Sequence, residues 1–181
     1  TSDNFDTDLG TWTNNGWIVD AAGTGSPGTG PSDDVTGGGN YLYYETSTGY
    51  APTVTLTSEC LDISGLTNPA LAFSNHMYGA TMGTLDVLVN GTNVWSLSGD
   101  QGDQWNDVQV SLSAFAGVDV TIEFVGTYGT SYTGDMAIDN IALTELIIYN
   151  GCTDATACNF DASANTDDGS CNLPSGCGDS L

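Results

Sequence analysis

Apolar and polar positions alternate with a period of two along most of the first 146 residues, the pattern of strands with one dry face and one wet face. Over residues 118–125, Val118, Val120, Ile122 and Phe124 fall on one side and Asp119, Thr121 and Glu123 on the other. Leu85, Val87 and Val89 alternate with Asp86, Leu88 and Asn90, and the following Asn90-Gly91-Thr92-Asn93 is a hairpin signal. Shorter strands are expected over residues 41–45, 53–56, 71–75 and 136–143. Residues 21–40 are almost all Gly, Ala, Ser, Thr, Pro and Asp, which predicts a long loop. No segment has a 3.6-residue period. Many short strands at regular spacing predict an all-β antiparallel sandwich rather than an α/β sheet.

Composition supports a folded core. The chain of 181 residues is 39% hydrophobic, and Trp12, Trp17, Trp95 and Trp105 sit among the alternating apolar positions, unlike a disordered acidic tail. The 24 glycines suit a β-rich chain with many turns. No apolar run reaches 18 residues, so no membrane-spanning helix is expected. The chain has neither an initiator Met nor a signal peptide, which predicts a processed product or a segment of something longer.

Charge changes the picture most. There is no Lys or Arg against 23 Asp and Glu, a formal net charge of -23. Nucleic acid is excluded as a partner, because phosphate binding needs basic side chains to displace counterions. A buried carboxylate has no basic side chain to pair with, so it must be protonated, hydrogen-bonded or bound to a metal. Trypsin-like proteases have no cleavage site. Such a chain is expected outside the cell, where salt screens its self-repulsion and calcium neutralises its acidic clusters.

Four of five cysteines, Cys152, Cys158, Cys171 and Cys177, crowd into the last thirty residues and read as a small disulfide framework with three pairings open. Cys60 is left over, as a buried free thiol or as a half-bond to another chain or to protein beyond this segment.

Asn4-Phe5-Asp6, Leu9-Gly10 and Trp12, then Gly30-Pro31, Asp34-Val35-Thr36 and Gly39-Asn40-Tyr41-Leu42-Tyr43-Tyr44-Glu45, resemble the opening of a MAM domain. His76-Met77-Tyr78-Gly79, Met82-Gly83-Thr84-Leu85, Trp95, Gly99-Asp100-Gln101, Trp105 and Ala137-Ile138-Asp139-Asn140-Ile141 continue it in the family's order, over nearly all of residues 3–144. The resemblance implies a two-sheet jelly-roll sandwich and an extracellular adhesion module, not a catalyst. Vertebrate members carry two disulfides in this domain, whereas only Cys60 lies within it here. Ser58-Glu59-Cys60-Leu61-Asp62 is similar to bacterial members, and Asp34-Val35-Thr36 stands where animal sequences commonly read Asp-His-Thr. Residues 151–171 resemble a short acidic, Cys-bounded calcium repeat of secreted Bacteroidetes proteins, akin to thrombospondin type 3 repeats. Residues 175–179 would begin another unit. The expected organisation is therefore a MAM-like domain over 1–146 and a small, irregular, disulfide-rich calcium-binding spacer over 147–181. Chains with such repeats often end in a sorting or anchoring domain, and none is visible in this sequence.

Calcium is the chemistry these residues favour, since it takes six to eight hard oxygens. In the C-terminal segment the candidates are Asp154, Asn159, Asp161, Asn165, Asp167 and Asp168, the bland alternative being a solvated acidic linker. In the sandwich, jelly-roll relatives hold a structural ion where the first strand meets the last. The matching residues are Asp6, Asp34 and Asp139, with Asp33 and Glu45 as further candidates. Asp139 falls near a packed surface between Ile138 and Ile141 with no base to pair with.

Other chemistries carry little signal. His76 has no His or Cys partner at metal-ligand spacing and reads as a packed strand residue with one hydrogen bond. With 23 carboxylates, pairs at glycosidase spacing are inevitable and uninformative, so no enzyme is expected. Tyr50, Tyr128 and Tyr132 in loops offer stacking surfaces for polysaccharide, and Asn90-Gly91-Thr92 fits a glycosylation sequon. The expected function is a secreted, calcium-stabilised adhesive or structural module of a cell-surface or polymeric assembly. Its partners would be copies of itself or other extracellular proteins, with Leu146 to Tyr149 as an edge for strand addition. The competing class is a carbohydrate- or protein-binding accessory module of a larger secreted enzyme.

Overall fold

The computed structural model describes residues 2–47 and 51–173. The strands are β1 (Ser2–Asp3), β2 (Thr13–Asn15), β3 (Ile18–Asp20), β4 (Tyr41–Tyr44), β5 (Thr53–Thr57), β6 (Pro69–Met77), β7 (Thr84–Val89), β8 (Thr92–Ser98), β9 (Trp105–Ser111), β10 (Ile122–Thr127), β11 (Met136–Glu145), β12 (Asn150–Gly151) and β13 (Thr166–Asp167). One 3-10 turn, Ser113–Phe115, is the sole helical element among the described residues. The chain divides into two compact units, Thr1–Glu145 and Leu146–Leu181.

The first unit is a two-sheet antiparallel sandwich. One sheet runs β3-β4-β11-β6-β9 with β1 added on β11, and the other runs β2-β5-β10-β7-β8. Alternation decides what lies between them. Leu85, Val87 and Val89 of β7, Ile122 and Phe124 of β10, and Val54 and Leu56 of β5 face Leu42, Tyr44, Leu71, Phe73, Met77, Met136 and Ile138 of the other sheet. Each such side chain taken fully from water contributes roughly 1.5–3 kcal/mol. Phe73 locks the layers together, with its ring edge-to-face on Trp95 at 5.1 Å and on Phe124 at 5.0 Å. The β7–β8 hairpin turns at Asn90 (φ 49°) and Gly91 (φ 76°), the two left-handed residues that a twist-matched two-residue turn demands.

Two differences from the alternation pattern have local causes. Residues 118–125 do not form one strand: β10 starts at Ile122, and Val120 joins only through an isolated bridge to Leu61. Val118 follows the 3-10 turn and is 54% exposed, while Phe115 packs against the core instead. The strands β8 and β9 carried no clear period-two signal, because a register shift between Val87 and Leu88 breaks the alternation across β8 and most of β9 is only half buried.

The long Gly-rich loop is not idle. It folds over the outer face of the first sheet, so all four residues of β4 are buried and not merely every second one. Tyr41, Tyr43 and Ala137 form a second apolar layer there with Ile18 and Trp105. The loop is held by the Tyr41 hydroxyl donating to the Ala22 carbonyl, Trp105 Nε1 donating to the Asp33 carbonyl at 3.1 Å, and Thr29 Oγ1 donating to the Tyr78 carbonyl at 2.8 Å. His76 lies in the same region, 2% exposed, with Nε2 3.2 Å from Asp103 Oδ1. Burial lowers its pKa more than Asp103 raises it, so the ring is a neutral packed group at pH 7.

The second unit is short and apolar-poor, and is held by cross-links. Cys152 and Cys171 form a disulfide, and Cys158 is disulfide-bonded as well. β12 and β13 pair in parallel over two residues. The proposed edge at 146–149 is used within this unit: Tyr149 N donates to Asn165 Oδ1, while Asn165 N and Thr166 N both donate to the Tyr149 carbonyl. The Tyr149 backbone groups are thus engaged within their own unit, while the Ile147, Ile148 and Tyr149 side chains are exposed. In the first unit, Cys60 is a free thiol and exposed, not buried, because it sits just past β5 where the chain leaves the sheet.

Candidate functional site

The site begins with an irregularity in β11. Residues Met136, Ala137 and Ile138 pair with β4, Ile141 and Ala142 pair with β1 on the same edge, and the register with β6 shifts between Asp139 and Ala142. Asn140 takes a left-handed conformation (φ 51°) to make that shift, as bulged strands do. Where β4 has ended and β1 not yet begun, Asp139 is left facing the loop. Phe5, also left-handed (φ 58°), turns the chain immediately after β1 and delivers Asp6 to the same gap.

Three sequence-predicted acids from three distant segments are therefore brought to one region, within reach of each other's charge. Asp139 is 1% exposed; its Oδ1 accepts from Asn140 N at 2.7 Å and its Oδ2 from Val35 N at 3.4 Å. Burial pushes its pKa up to about 6, the two N–H donors pull it back, and the charges of Asp34 and Asp6 push it up again. Asp34 is buried too, but Thr36 Oγ1 at 2.6 Å, Thr36 N at 3.2 Å and Gly37 N at 2.6 Å all donate to it. Burial works against its ionised form; these donors, with Gly39 N, outweigh it and lower the pKa. Asp6 is exposed, accepting from Asn40 N at 2.8 Å and from Asn4 Nδ2 at 2.5 Å. A Cβ on Gly39 would lie 2.0 Å from Asp6 Oδ1 and 2.7 Å from Asp34 Oδ2, so only glycine lets the two carboxylates close in. Asp6, Thr36, Gly37, Gly38, Gly39 and Asn40 line an open recess of about 400 Å³.

Among the described residues, no three His, Cys, Asp or Glu side chains stand grouped as a metal centre. Asp6 and Asp34 converge on Gly39, and their charges reach the buried Asp139. The donors are all hard oxygens and the chain has no Lys or Arg, so the residues fit calcium better than zinc, which favours nitrogen and sulfur. Asp33 stays in the loop, its Oδ1 accepting from Asp34 N and Gly38 N at 3.0 Å each. Glu45 is not brought to this group.

Glu45 instead neighbours Asp135, which sequence reasoning missed. Asp135 is 0% exposed and is pushed up to about 6 by burial, a rise that the Glu45 charge reinforces and Thr46 donors oppose. The signal was present in the alternation: Asp135, just before β11, continues the every-second-residue series of Ala137 and Asp139.

In the second unit the candidates are spread over turns rather than gathered. Asp154 Oδ1 accepts from Thr156 N and Oγ1, Asp161 Oδ1 from Ser163 N and Oγ, Asp167 Oδ1 from Gly169 N and Asp168 Oδ1 from Ser170 N. These are Asx-type turns, and the donors lower the pKa of Asp154, Asp161 and Asp168. Asn159 and Asn165 staple the chain: Asn159 bridges the Ser170 carbonyl and Asn172 N, and Asn165 bridges the Ile147 carbonyl and Tyr149 N.

Of the stacking candidates, Tyr128 and Tyr132 are 36% and 51% exposed, and Tyr50 lies outside the described residues. The amide of the sequon residue Asn90 is taken on both sides, donating to the Asp119 carbonyl and accepting from Thr121 N.

The MAM domain family (meprin/A5/mu) matches residues 4–149. The chain is 33% identical over 136 residues to human MAM domain-containing glycosylphosphatidylinositol anchor protein 1, covering 65% of this chain and 13% of that protein. It is 31% identical over 145 residues to Xenopus laevis neuropilin-1, covering 76% and 15%. The chain thus spans about an eighth of the length of the relatives it matches. Among solved structures, the K1 cleaved adhesin domain of Lys-gingipain from Porphyromonas gingivalis W83 superposes with a TM-score of 0.57 at 14% identity, over 81% of this chain and 98% of that one. A CBM 22 xylan-binding domain gives 0.50 at 17%, over 82% and 96%. At these identities the likeness is one of fold.

Proposed function

Because this chain belongs to the MAM family, whose domains are extracellular adhesion-type modules, we propose that it is a secreted or cell-surface module that binds other proteins or further copies of itself. In this reading it is not catalytic, and calcium stabilises it. The observation that carries the calcium reading is the meeting of Asp6, Asp34 and Asp139, from the start, the long loop and the last strand of one sandwich, in a chain without Lys or Arg. A calcium ion held there by these carboxylates, with backbone oxygens of the loop, would tie the three segments to one another. Asp6 and Asp34 would face the ion from the recess side. Asp139 would neutralise part of its charge from the buried side.

The second unit serves in this reading as a calcium-responsive spacer, with Asp154, Asp161, Asp167 and Asp168 as the carboxylates that take the ion. Asn159 and Asn165 hold the turns that present them. The affiliation with bacterial MAM domains and the likeness of this unit to thrombospondin type 3 repeats belong to the same proposal.

Sedimentation velocity of the non-reduced chain, in millimolar calcium and then in chelator, tests the function. Chelator-sensitive assemblies are expected of a self-associating module. A monomer in both conditions that is retained on a xylan or other polysaccharide column would replace this reading with that of a carbohydrate-binding accessory module.

A further inference from the structure

Asp135 presents a problem that the Asp6–Asp34–Asp139 group does not solve. Its carboxylate is fully buried, and Oδ1 is satisfied by Thr46 N at 2.9 Å and Thr46 Oγ1 at 3.0 Å. Oδ2 is buried with no hydrogen-bond partner. An unpaired buried carboxylate oxygen is among the costliest groups a fold can carry.

The neighbours make this worse. Glu45, 8% exposed, lies near enough for its charge to act on Asp135. The Thr24 hydroxyl adjoins the carboxylate and lowers its pKa, but its single proton is shared with the Thr29 carbonyl at 3.0 Å, so it satisfies Oδ2 only in part. The Tyr41 hydroxyl feels the Asp135 charge and donates to the Ala22 carbonyl. Thr29 Oγ1 donates to the Tyr78 carbonyl while accepting from Asp135 N at 2.8 Å. Oδ2 is thus left without a full hydrogen bond, with the Glu45 carboxylate and the Thr24 hydroxyl as its polar neighbours. The chain holds no Lys or Arg, and its single histidine is paired with Asp103. At neutral pH, above its raised pKa of about 6, the carboxylate needs a counter-charge that no side chain supplies, and a cation from solution would supply it.

We propose that Asp135 and Glu45 hold a second divalent cation, calcium in the extracellular setting, with the Thr24 hydroxyl oxygen beside it. This site is distinct from the first. Asp135 lies just before β11 and Asp139 within it, four residues on, which at the rise of extended chain places them about 13 Å apart, with Ala137 of the apolar Tyr41–Tyr43 layer between them in sequence. The proposed ion would fasten the start of the long loop, near Thr24, and the exit of β4, at Glu45, to the entry of β11. The first would fasten the loop's far end. The pair explains how a loop of about twenty small residues covers a sheet face with so little apolar side chain of its own.

Native mass spectrometry of the full, non-reduced chain in calcium counts the ions. Asp135→Asn and Glu45→Gln are each expected to bind one calcium fewer than the unsubstituted chain, and Asp135→Asn combined with Asp139→Asn two fewer. Glu45→Gln preserves volume at a less buried position, so it decides the question should Asp135→Asn fold poorly. Asp139→Asn alone reads the first site, so failure there is distinguishable from failure here. Unchanged calcium stoichiometry in both Asp135→Asn and Glu45→Gln overturns the proposal.

Discussion

Replacing Asp139 by Asn should stabilise the chelated protein at neutral pH and destabilise the calcium-loaded one. In the folded chain, burial and two neighbouring carboxylates raise Asp139 from 3.8 to about 6. The ionised form is therefore disfavoured by folding, at about 1.36 kcal/mol per pH unit, or about 3 kcal/mol in full. The folded state holds this proton more tightly than the unfolded state does, so between roughly pH 4 and 6 stability falls as pH rises. The penalty is complete above about pH 6 and absent below about pH 4. The groups held low, among them Asp34, Asp154, Asp161 and Asp168, act in the opposite sense and lose their contribution only as pH falls through their depressed values. Relief of the -23 charge adds a general gain on acidification, so the comparison with the substituted chain isolates the Asp139 part.

For a domain of this size 3 kcal/mol corresponds to roughly 6–12 °C in melting temperature. Scanning calorimetry in EDTA should show Asp139→Asn melting higher than the unsubstituted chain by up to that amount at pH 7, and equal to it near pH 4. Millimolar calcium should reverse the order, because the ion stabilises only a chain that binds it, by RT ln(1 + [L]/Kd). Equal melting at pH 7 in EDTA, or equal stabilisation of both chains by calcium, would refute the reasoning.

Gly39→Ala places a methyl 2.0 Å from Asp6 Oδ1, so calcium affinity should drop at least tenfold by isothermal titration while the chelated fold loses only about 1–3 kcal/mol. Phe73→Ala removes the ring between Trp95 and Phe124 and should cost about 3–5 kcal/mol in urea unfolding followed by tryptophan emission. Reducing the Cys152–Cys171 bond should raise amide exchange in the second unit, by loss of roughly 3 kcal/mol, and leave strands β5, β7 and β10 protected. Cys60 should react with a thiol reagent in the native protein at the rate of a free peptide thiol; slow labelling would contradict its exposure.

The strands whose two faces differ sharply were legible from the chain alone. β7 and β10 bury every second residue against the opposite sheet, and period-two burial leaves a period-two sequence. The hairpin at Asn90-Gly91 was legible for a related reason, since a turn needing two left-handed residues restricts what stands there. The absence of Lys and Arg fixed in advance that any buried carboxylate would need a proton, a hydrogen bond or a metal. It did not say which carboxylates would be buried. That depended on the bulge after Asp139, on the left-handed turn at Phe5 and on where the loop came to rest, all of which follow from register between segments more than thirty residues apart. Asp135 carried the same alternation signal as Asp139, but only the loop folded over the outer face turned it from a surface acid into a buried one without a partner. Local pattern sets which residues share a face; long-range packing decides whether that face meets water, and so what its charged groups must bind.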